Sequence, residues 1–466
     1  MSSHPKLRGT DGVRGRTVVE TGPGRINPET FRGLAFAAVE VLELDFVVAG
    51  GDTRPSTPRL LEATIEGAVL AGAHVHCIDA PCPTPTIGWA SGEIAGEGSG
   101  GLVITASHNP YTDNGLKLFL PKGKKPSDAQ WEMIERVYWD YTEATAMSHG
   151  KNGSLENSDR LLEKYKTTVI ESMRAIFQNE RPLADRLIVV DTAYGAAKGI
   201  TQTILQELGA EVITYDNRKD WKINDGCGAN DLSGLHKFLR SKSYILDNPK
   251  FMGAIANDGD ADRVMGVGYN GKELVEINGN HIMRYLAEGQ PGIVGTEYTN
   301  SGLTSLLGSL GIGFEYCPNG DSHVTEALLK RQSRGEPWTR GGEFTGHLID
   351  TDHLMSGDGI YMAAWFACTA ATKNMNFGDI HRELPLWHEK MTGIPYVPKA
   401  RLDVINHPRL IELIEESRTV LGGEGRLIVR KSGTEPKIRV WGEAIDQDRL
   451  DRVTSTITRL VSRLSS

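Results

Sequence analysis

The chain has few cysteines for its 466 residues: Cys77, Cys82, Cys227, Cys317 and Cys368 are scattered, odd in number and form no C-x-x-C pair. That spacing excludes a disulfide scaffold, offers no zinc site and predicts a reducing compartment. No stretch approaches the roughly 18 apolar residues that a membrane-crossing helix needs. The first residues, MSSHPKLRGTDGVRG, contain no apolar signal core, so the sequence predicts a cytoplasmic protein with no membrane partner. Excess positive charge is also lacking. A net charge of -9 argues against a general nucleic-acid surface, although a local basic pocket for an anionic small substrate remains compatible with it. There is no low-complexity tract and no heptad repeat. What remains is 39% hydrophobic and 24% charged residues, ordinary for a soluble globular protein. The length fits about three domains, or two large ones, and a core is easily built at that size.

Three segments share one pattern, an apolar strand, a small polar turn and a helix. They run from Asp45 to Ala73, from Arg186 to Ala210 and from Gly292 to Ile312. Each is followed by a short strand, HVHCID, EVITYD or GFEYC, which is the βαβ signature of mostly parallel sheet. The tail from about Pro395 reads instead as β-α-β-β-α, starting at KARLDVI, with KNMNFGDIHRELPLWHEKMTGIPYVP as its approach linker. A polar, Gly/Asn/Ser-rich seam lies at Ser148 to Asp159. The predicted architecture is three related α/β domains, 1–155, 156–262 and 263–378, with mixed, mostly parallel sheets, plus a smaller C-terminal α+β domain, 379–466.

Five stretches carry candidate chemistry. In GLVITASHNPYTDNGLKLF, from Gly101 to Phe119, an apolar strand ends at Ser107-His108-Asn109 and another begins beyond Pro110. A hydroxyl at the C-terminal end of a parallel strand lies where α/β proteins place ligands, and a serine nucleophile needs help, for which His108 and Lys117 are at hand. The structural alternative is an ordinary Ser/Asn turn. No G-x-S-x-G elbow suggests a hydrolase.

In IANDGDADRVMGVG, Asp258, Asp260 and Asp262 alternate after an apolar strand. Three carboxylates so close repel one another unless a cation sits between them, and hard oxygen ligands select Mg²⁺ or Ca²⁺. Arg263 occupies the position where a calcium-binding EF-hand requires glycine, so this is not such a loop. A solvated acidic turn is the alternative. The G-x-G-x-x-G of Gly266, Gly268 and Gly271 precedes NGKELV, a hairpin rather than a helix, and implies no dinucleotide.

TRGGEFTGHLI places Glu343, Thr345 and His347 on one side if extended, where they can read sugar hydroxyls; a glycine-rich hairpin is the alternative. In VRKSGTEPKIRV, Arg430, Lys431, Ser432, Gly433, Thr434 and Arg439 combine backbone N–H groups, hydroxyls and guanidinium into a phosphate nest; a basic surface turn is the alternative. RGTDGVRG brings Arg8 and Arg14 in a glycine-rich segment that reads equally as a mobile terminus.

Together and in this order, TASHNP, DGDADR, GEFTGH and RKSGTEP resemble the phosphoserine, metal, sugar and phosphate loops of the α-D-phosphohexomutase superfamily, over nearly the whole chain. The resemblance implies four domains around a central cleft and a phosphoryl group carried on Ser107. One Mg²⁺ per chain is implied, held by Ser107, Asp258, Asp260 and Asp262. His108, Lys117 and Arg14 are implied beside the phosphoserine, and Arg263, Glu343, Thr345, His347, Arg430, Ser432, Gly433, Thr434 and Arg439 on a hexose phosphate substrate. A homodimer is compatible with it. Lys117 and His347 are the candidates to take the proton from the accepting hydroxyl. RGTDGVRG, SHNPYTDNGLKLF and LIVRKSGTEPKIRV are most similar to the wording of bacterial phosphoglucosamine mutases, although Phe344-Thr345 stands where those enzymes usually have Gln-Ser. Phosphomannomutase or phosphoglucomutase activity is the alternative, and a non-catalytic sugar-phosphate-binding protein the second.

Overall fold

The computed structural model describes residues 5–9, 11–18, 22, 24–94, 98–142, 153–215, 222–396, 403–432 and 436–465. The described residues fall into two compact units, 1–298 with 312–383, and 299–311 with 384–466.

The first unit contains three sheets. β1 (Val13–Arg16), β2 (Phe46–Gly51), β3 (His74–Cys77), β4 (Ser99–Ile104), β5 (Asp113–Phe119) and β6 (Ser154–Asn157) form the first, in the order β1-β5-β4-β2-β3-β6. Its centre is parallel, while β5 turns back antiparallel on β4 and carries β1 at the edge. β2 is a near-continuous apolar run, buried in all but its first residue, as a parallel strand covered on both faces must be. The helix Thr57–Leu70 crosses from β2 to β3 and begins with a proline in its first turn, where the missing N–H has no helical partner to lose. Val47, Ala49, Leu102 and Ile104 join Phe31 and Leu34 of the helix Pro28–Leu42 in one core. β1 approaches β5 closely: a Cβ on Gly12, at φ +74°, would lie 2.2 Å from the Leu116 carbonyl oxygen, so only glycine fits there.

The second sheet holds β7 (Leu187–Asp191), β8 (Glu211–Thr214), β9 (Phe251–Asn257), β10 (Val264–Tyr269) and β11 (Leu274–Ile277), in the order β11-β10-β9-β7-β8. β10 and β11 form the hairpin expected from NG, with Gly271 at φ +88°. Because β10 pairs antiparallel with β9, the sheet continues past the expected boundary at 262. The third sheet holds β12 (Gly292–Thr296), β13 (Gly313–Cys317), β14 (Arg340–Gly342) and β15 (Leu348–Asp350) in the order β13-β12-β14-β15, parallel except for the β14–β15 hairpin.

In the second unit β16 (His388–Pro395), β17 (Gly425–Lys431) and β18 (Lys437–Ala444) make an antiparallel sheet, β16-β18-β17, packed with the helices Pro408–Leu421 and Gln447–Ser465. Two sequence expectations are corrected here. The presumed linker before Pro398 contains the helix Phe377–Glu383 and the whole of β16, whose proline is tolerated because it ends an edge strand. The strand expected at 399–405 is replaced, in its described part, by a single 3₁₀ turn at Val404–Asn406. The helix Ser301–Ser309 belongs to this unit, with the Ser301 N–H donating to the buried Glu443 carboxylate at 3.0 Å.

Candidate active site

β4 and β5 lie side by side in register, and the loop joining them presents Ser107 at its tip. The serine is almost fully buried and adopts φ +50°, a left-handed conformation uncommon outside glycine. Its hydroxyl donates to Asp258 Oδ2 at 3.0 Å. His108 Nδ1 is 3.5 Å from Ser107 Oγ. The His108 pKa is pushed well down, by desolvation first and then by the Arg263 and Arg14 cations.

Asp258, Asp260 and Asp262 follow β9 on a tight turn, with Ala261 left-handed at φ +63°. All three are buried, and one oxygen from each can be chosen so that the set lies within 4.8 Å of one another. Burial is the main reason that the Asp258 pKa rises to about 7, with Asp262 and Asp260 adding to it. Thr84 Oγ1 donates to Asp260 Oδ2 at 2.6 Å, while Asp260 Oδ1 is buried and has no hydrogen-bond partner among the described residues. An orphaned carboxylate oxygen among three converging acids fits a small hard divalent cation.

Lys117, opposite Val103 in the β4–β5 ladder, sends its ammonium into this cluster, 2.5 Å from Asp262, 2.8 Å from Asp260 and 3.2 Å from Asp11. Burial alone would lower its pKa, but Asp11, Asp260 and Asp262 hold it well above the usual lysine value. Arg14 on β1 is 2.7 Å from Asp11. Arg8 is spent elsewhere, on Asp128 of the helix Asp128–Asp140.

The segment around Glu343 is not extended, contrary to the alternation argument. Residues 343–347 are the turn of the β14–β15 hairpin, closed by Glu343 N–H on His347 O at 2.8 Å. Gly346 makes that turn possible: at φ +90° its Cβ would lie 2.3 Å from the Val264 carbonyl oxygen. The turn, not alternation, brings the side chains together. His347 Nδ1 is 2.9 Å from Glu343 Oε2 and its Nε2 is 2.9 Å from Asp262 Oδ1. Burial works against the imidazolium, yet Asp262 and then the Glu343 contact raise the His347 pKa to about 10. Glu343 also accepts from the Gly320 N–H at 2.9 Å and weakly from Thr345 Oγ1 at 3.4 Å, so its carboxylate is engaged in supporting His347. Phe344 packs edge-to-face on Tyr298, with ring centroids 6.2 Å apart. Arg263 contacts His347 Nε2 at 3.3 Å and Asn230 Oδ1 at 3.1 Å.

Several members of the site were not singled out from the sequence. Asp11 neutralises both Lys117 and Lys125, and Lys125 reaches Asp321 at 2.7 Å. Asn224 donates to the Ser107 carbonyl at 2.7 Å. The acid in RGTDG was the available sequence signal for Asp11; Lys125 and Asp321 offered none. In the second unit, Arg430 and Arg439 face each other across β17 and β18, and the Ser432 N–H donates to Lys437 O at 2.8 Å. Gly433 and Thr434 lie outside the described residues.

Comparison with known proteins defines the class of this fold as that of the phosphohexomutases. Models for phosphoglucomutase/phosphomannomutase alpha/beta/alpha domain I, alpha/beta/alpha domain III and the C-terminal domain match residues 5–145, 270–386 and 396–460. The chain is 33% identical over 470 residues to phosphoglucosamine mutase 2 of Shewanella amazonensis, covering 98% of both. It is 34% identical over 468 residues to phosphoglucosamine mutase of a Janthinobacterium species, covering 98% of this chain and 99% of that one. A phosphoglucomutase/phosphomannomutase family protein from Burkholderia thailandensis shares the fold at a TM-score of 0.74, with 21% identity and coverage of 98% and 97%. The chain therefore belongs to the phosphoglucomutase/phosphomannomutase family.

Proposed function

We propose that the protein interconverts glucosamine 6-phosphate and glucosamine 1-phosphate, with Ser107 carrying the phosphoryl group between them. The observation that carries this reading is the Ser107 hydroxyl, buried and held 3.0 Å from Asp258 at the edge of the three-aspartate cluster. The relatives named phosphoglucosamine mutase, matched along 98% of the chain, favour the hexosamine.

Phosphoryl transfer needs positioning and charge neutralisation more than covalent chemistry. The phosphorylated Ser107 donates its phosphoryl group to the free hydroxyl of the sugar phosphate. The serine oxygen–phosphorus bond breaks, a new bond forms to the sugar oxygen, and the hydroxyl proton passes to a base. The resulting 1,6-bisphosphate reverses its orientation and returns its other phosphate to Ser107. Lys117 and Arg14 lie near the serine loop and neutralise charge on the transferring group. Arg263 orients the substrate, and Arg430, Ser432, Gly433, Thr434 and Arg439 hold the phosphate that is not reacting. Asp258, Asp260, Asp262 and Ser107 would hold one Mg²⁺, which would supply charge neutralisation for the phosphoryl oxygens. Lys117 and His347 are the candidates to take the hydroxyl proton, each after releasing the proton that its carboxylate neighbours hold on it. No helix among the described residues is long and apolar enough to cross a membrane, in keeping with a cytoplasmic location.

The test is a set of coupled assays with glucosamine 6-phosphate, mannose 6-phosphate and glucose 1-phosphate, beside intact-mass analysis of the wild type and Ser107→Ala. The hexosamine should have the highest kcat/KM, and the wild type alone should carry one phosphate. A tenfold preference for mannose or glucose phosphate would move the assignment to phosphomannomutase or phosphoglucomutase. Normal steady-state turnover by Ser107→Ala would end the phosphoserine reading, and absence of turnover with every sugar would leave a sugar-phosphate-binding protein.

A further inference from the structure

We propose that Arg54 is a positioning residue for the Ser107 loop, a buried guanidinium that fixes where the hydroxyl stands without touching substrate. The proposal rests on the reading of Ser107 as the phosphoryl carrier.

Arg54 follows β2 in GGDTRP, and its side chain is wholly inaccessible. A guanidinium has five N–H groups in one plane, and here each has an acceptor. Nε donates to Asp52 Oδ2 at 2.9 Å. Nη1 donates to the carbonyls of Pro110 and, at 3.0 Å, Asp113. Nη2 donates to the carbonyls of Ser107 at 2.8 Å and Asn109 at 2.9 Å. Three of the five therefore end on the backbone between β4 and β5, a fourth ends on Asp113 at the start of β5, and the fifth orients the fork.

Asp52 completes the device. It accepts from Thr105 Oγ1 at 2.7 Å, and Thr105 Oγ1 accepts from the Ser107 N–H at 2.8 Å. The N–H and the C=O of Ser107 are thus tied to the same buried ion pair, one through Thr105 and the other directly. Between those ties the serine is held at φ +50°, a conformation that persists only where its surroundings over-determine it. Asn224 adds one more donor to the Ser107 carbonyl. Of the loop residues 107–112 only Ser107 is buried, so these hydrogen bonds rather than core packing set its shape. A lysine in place of Arg54 keeps the charge but cannot reproduce a planar fork over four carbonyls.

Three variants test this. Arg54→Lys removes the fork, Thr105→Val removes only the hydroxyl between Asp52 and the Ser107 N–H, and Thr105→Ser restores that hydroxyl. Hydrogen–deuterium exchange is read on peptides spanning 105–113, with β2 and β7 as internal references, and kcat and KM are measured with the preferred sugar phosphate. Arg54→Lys and Thr105→Val should exchange the loop at least tenfold faster and lose at least tenfold in kcat, with KM within threefold of wild type. Thr105→Ser should stay near wild type in both. Unchanged loop exchange in the two disruptive variants, or normal kcat despite a loosened loop, overturns the proposal. If Arg54→Lys does not fold, the Thr105 pair decides. If the wild type has no mutase turnover, the functional reading fails by itself, and loop exchange alone decides whether Arg54 sets the Ser107 backbone.

Discussion

Replacing Lys117 by methionine separates the two kinds of positive charge that the aspartate cluster can accept. The ammonium is 2.5, 2.8 and 3.2 Å from Asp262, Asp260 and Asp11. Methionine fills much of the same space without charge. After the change Asp11 keeps Lys125 and Arg14, and Asp262 keeps His347, but among the described residues Asp260 keeps one side-chain hydrogen bond, from the Thr84 hydroxyl, and the more distant charge of Arg263. Breaking a buried ion pair by removing one partner costs about 3–5 kcal/mol. The variant in chelator should lose roughly that much stability in urea denaturation. Mg²⁺ at a hundredfold excess over its Kd should return about 2.7 kcal/mol by mass action, so the variant's stability becomes strongly metal-dependent. Because a competing cation is gone, calorimetric titration should show divalent binding at least tenfold tighter than in wild type, while mutase turnover is lost. Equal stability of variant and wild type in chelator, or weaker metal binding by the variant, would refute the reasoning.

Three other outcomes are expected. Burial, opposed by the Asn300 hydrogen bond and reinforced by Glu443, raises the Glu389 pKa from 4.5 to about 7; a raised folded pKa contributes stability below pH ~4.5 that is lost as pH rises through about 7. Glu389→Gln should therefore match wild type near pH 4 and exceed it by up to about 3–4 kcal/mol at pH 8, and a difference that does not change between those pH values in denaturation curves would contradict this. Arg430→Ala and Arg439→Ala should each lower kcat/KM roughly ten- to a hundredfold, since a charged hydrogen bond to phosphate contributes about 1.5–3 kcal/mol; unchanged kinetics in both would make the β17–β18 loop a surface turn. Phosphorylation of Ser107 should tighten divalent-ion binding by about 5- to 150-fold, the usual span of a coupling free energy, and equal Kd values for the two forms would argue against the charge balance described below.

The βαβ segments were legible because β2, β7 and β12 are buried apolar runs followed by small polar turns, a pattern that only parallel strands impose on so few residues. The Asn270-Gly271 hairpin was legible from its turn chemistry. β16 was not: half-exposed, at a sheet edge and ending in Pro395, it has the composition of a linker. Glu343, Thr345 and His347 do come together, but not by the geometry expected, because alternation describes a strand and Gly346 makes a turn. Asp11, Lys125 and Asp321 were missed for a different reason. They matter through one another across three distant stretches of chain, and single-sequence spacing carries no record of such pairing. Arg54 sits at the end of β2, where α/β folds place ligands, and an Asp-x-Arg at that point was the signal available.

Charge balance explains why so many acids tolerate one another in this site. Asp11, Asp258, Asp260, Asp262, Asp321 and Glu343 face Lys117, Lys125, Arg14, Arg263 and the protonated His347. Six carboxylates meet five cations, and the raised pKa of Asp258 takes up part of the surplus charge near neutral pH. A divalent cation entering alone makes this site positive, and a phosphoryl group entering alone, with its charge of about −1.5 to −2, makes it negative. Entering together they leave it close to neutral. The buried setting magnifies either imbalance, so each makes the other easier to bind. If Ser107 is the phosphoryl carrier proposed above, the same balance favours replacing one phosphoryl group by another over losing it to water, as a mutase requires and a phosphatase does not.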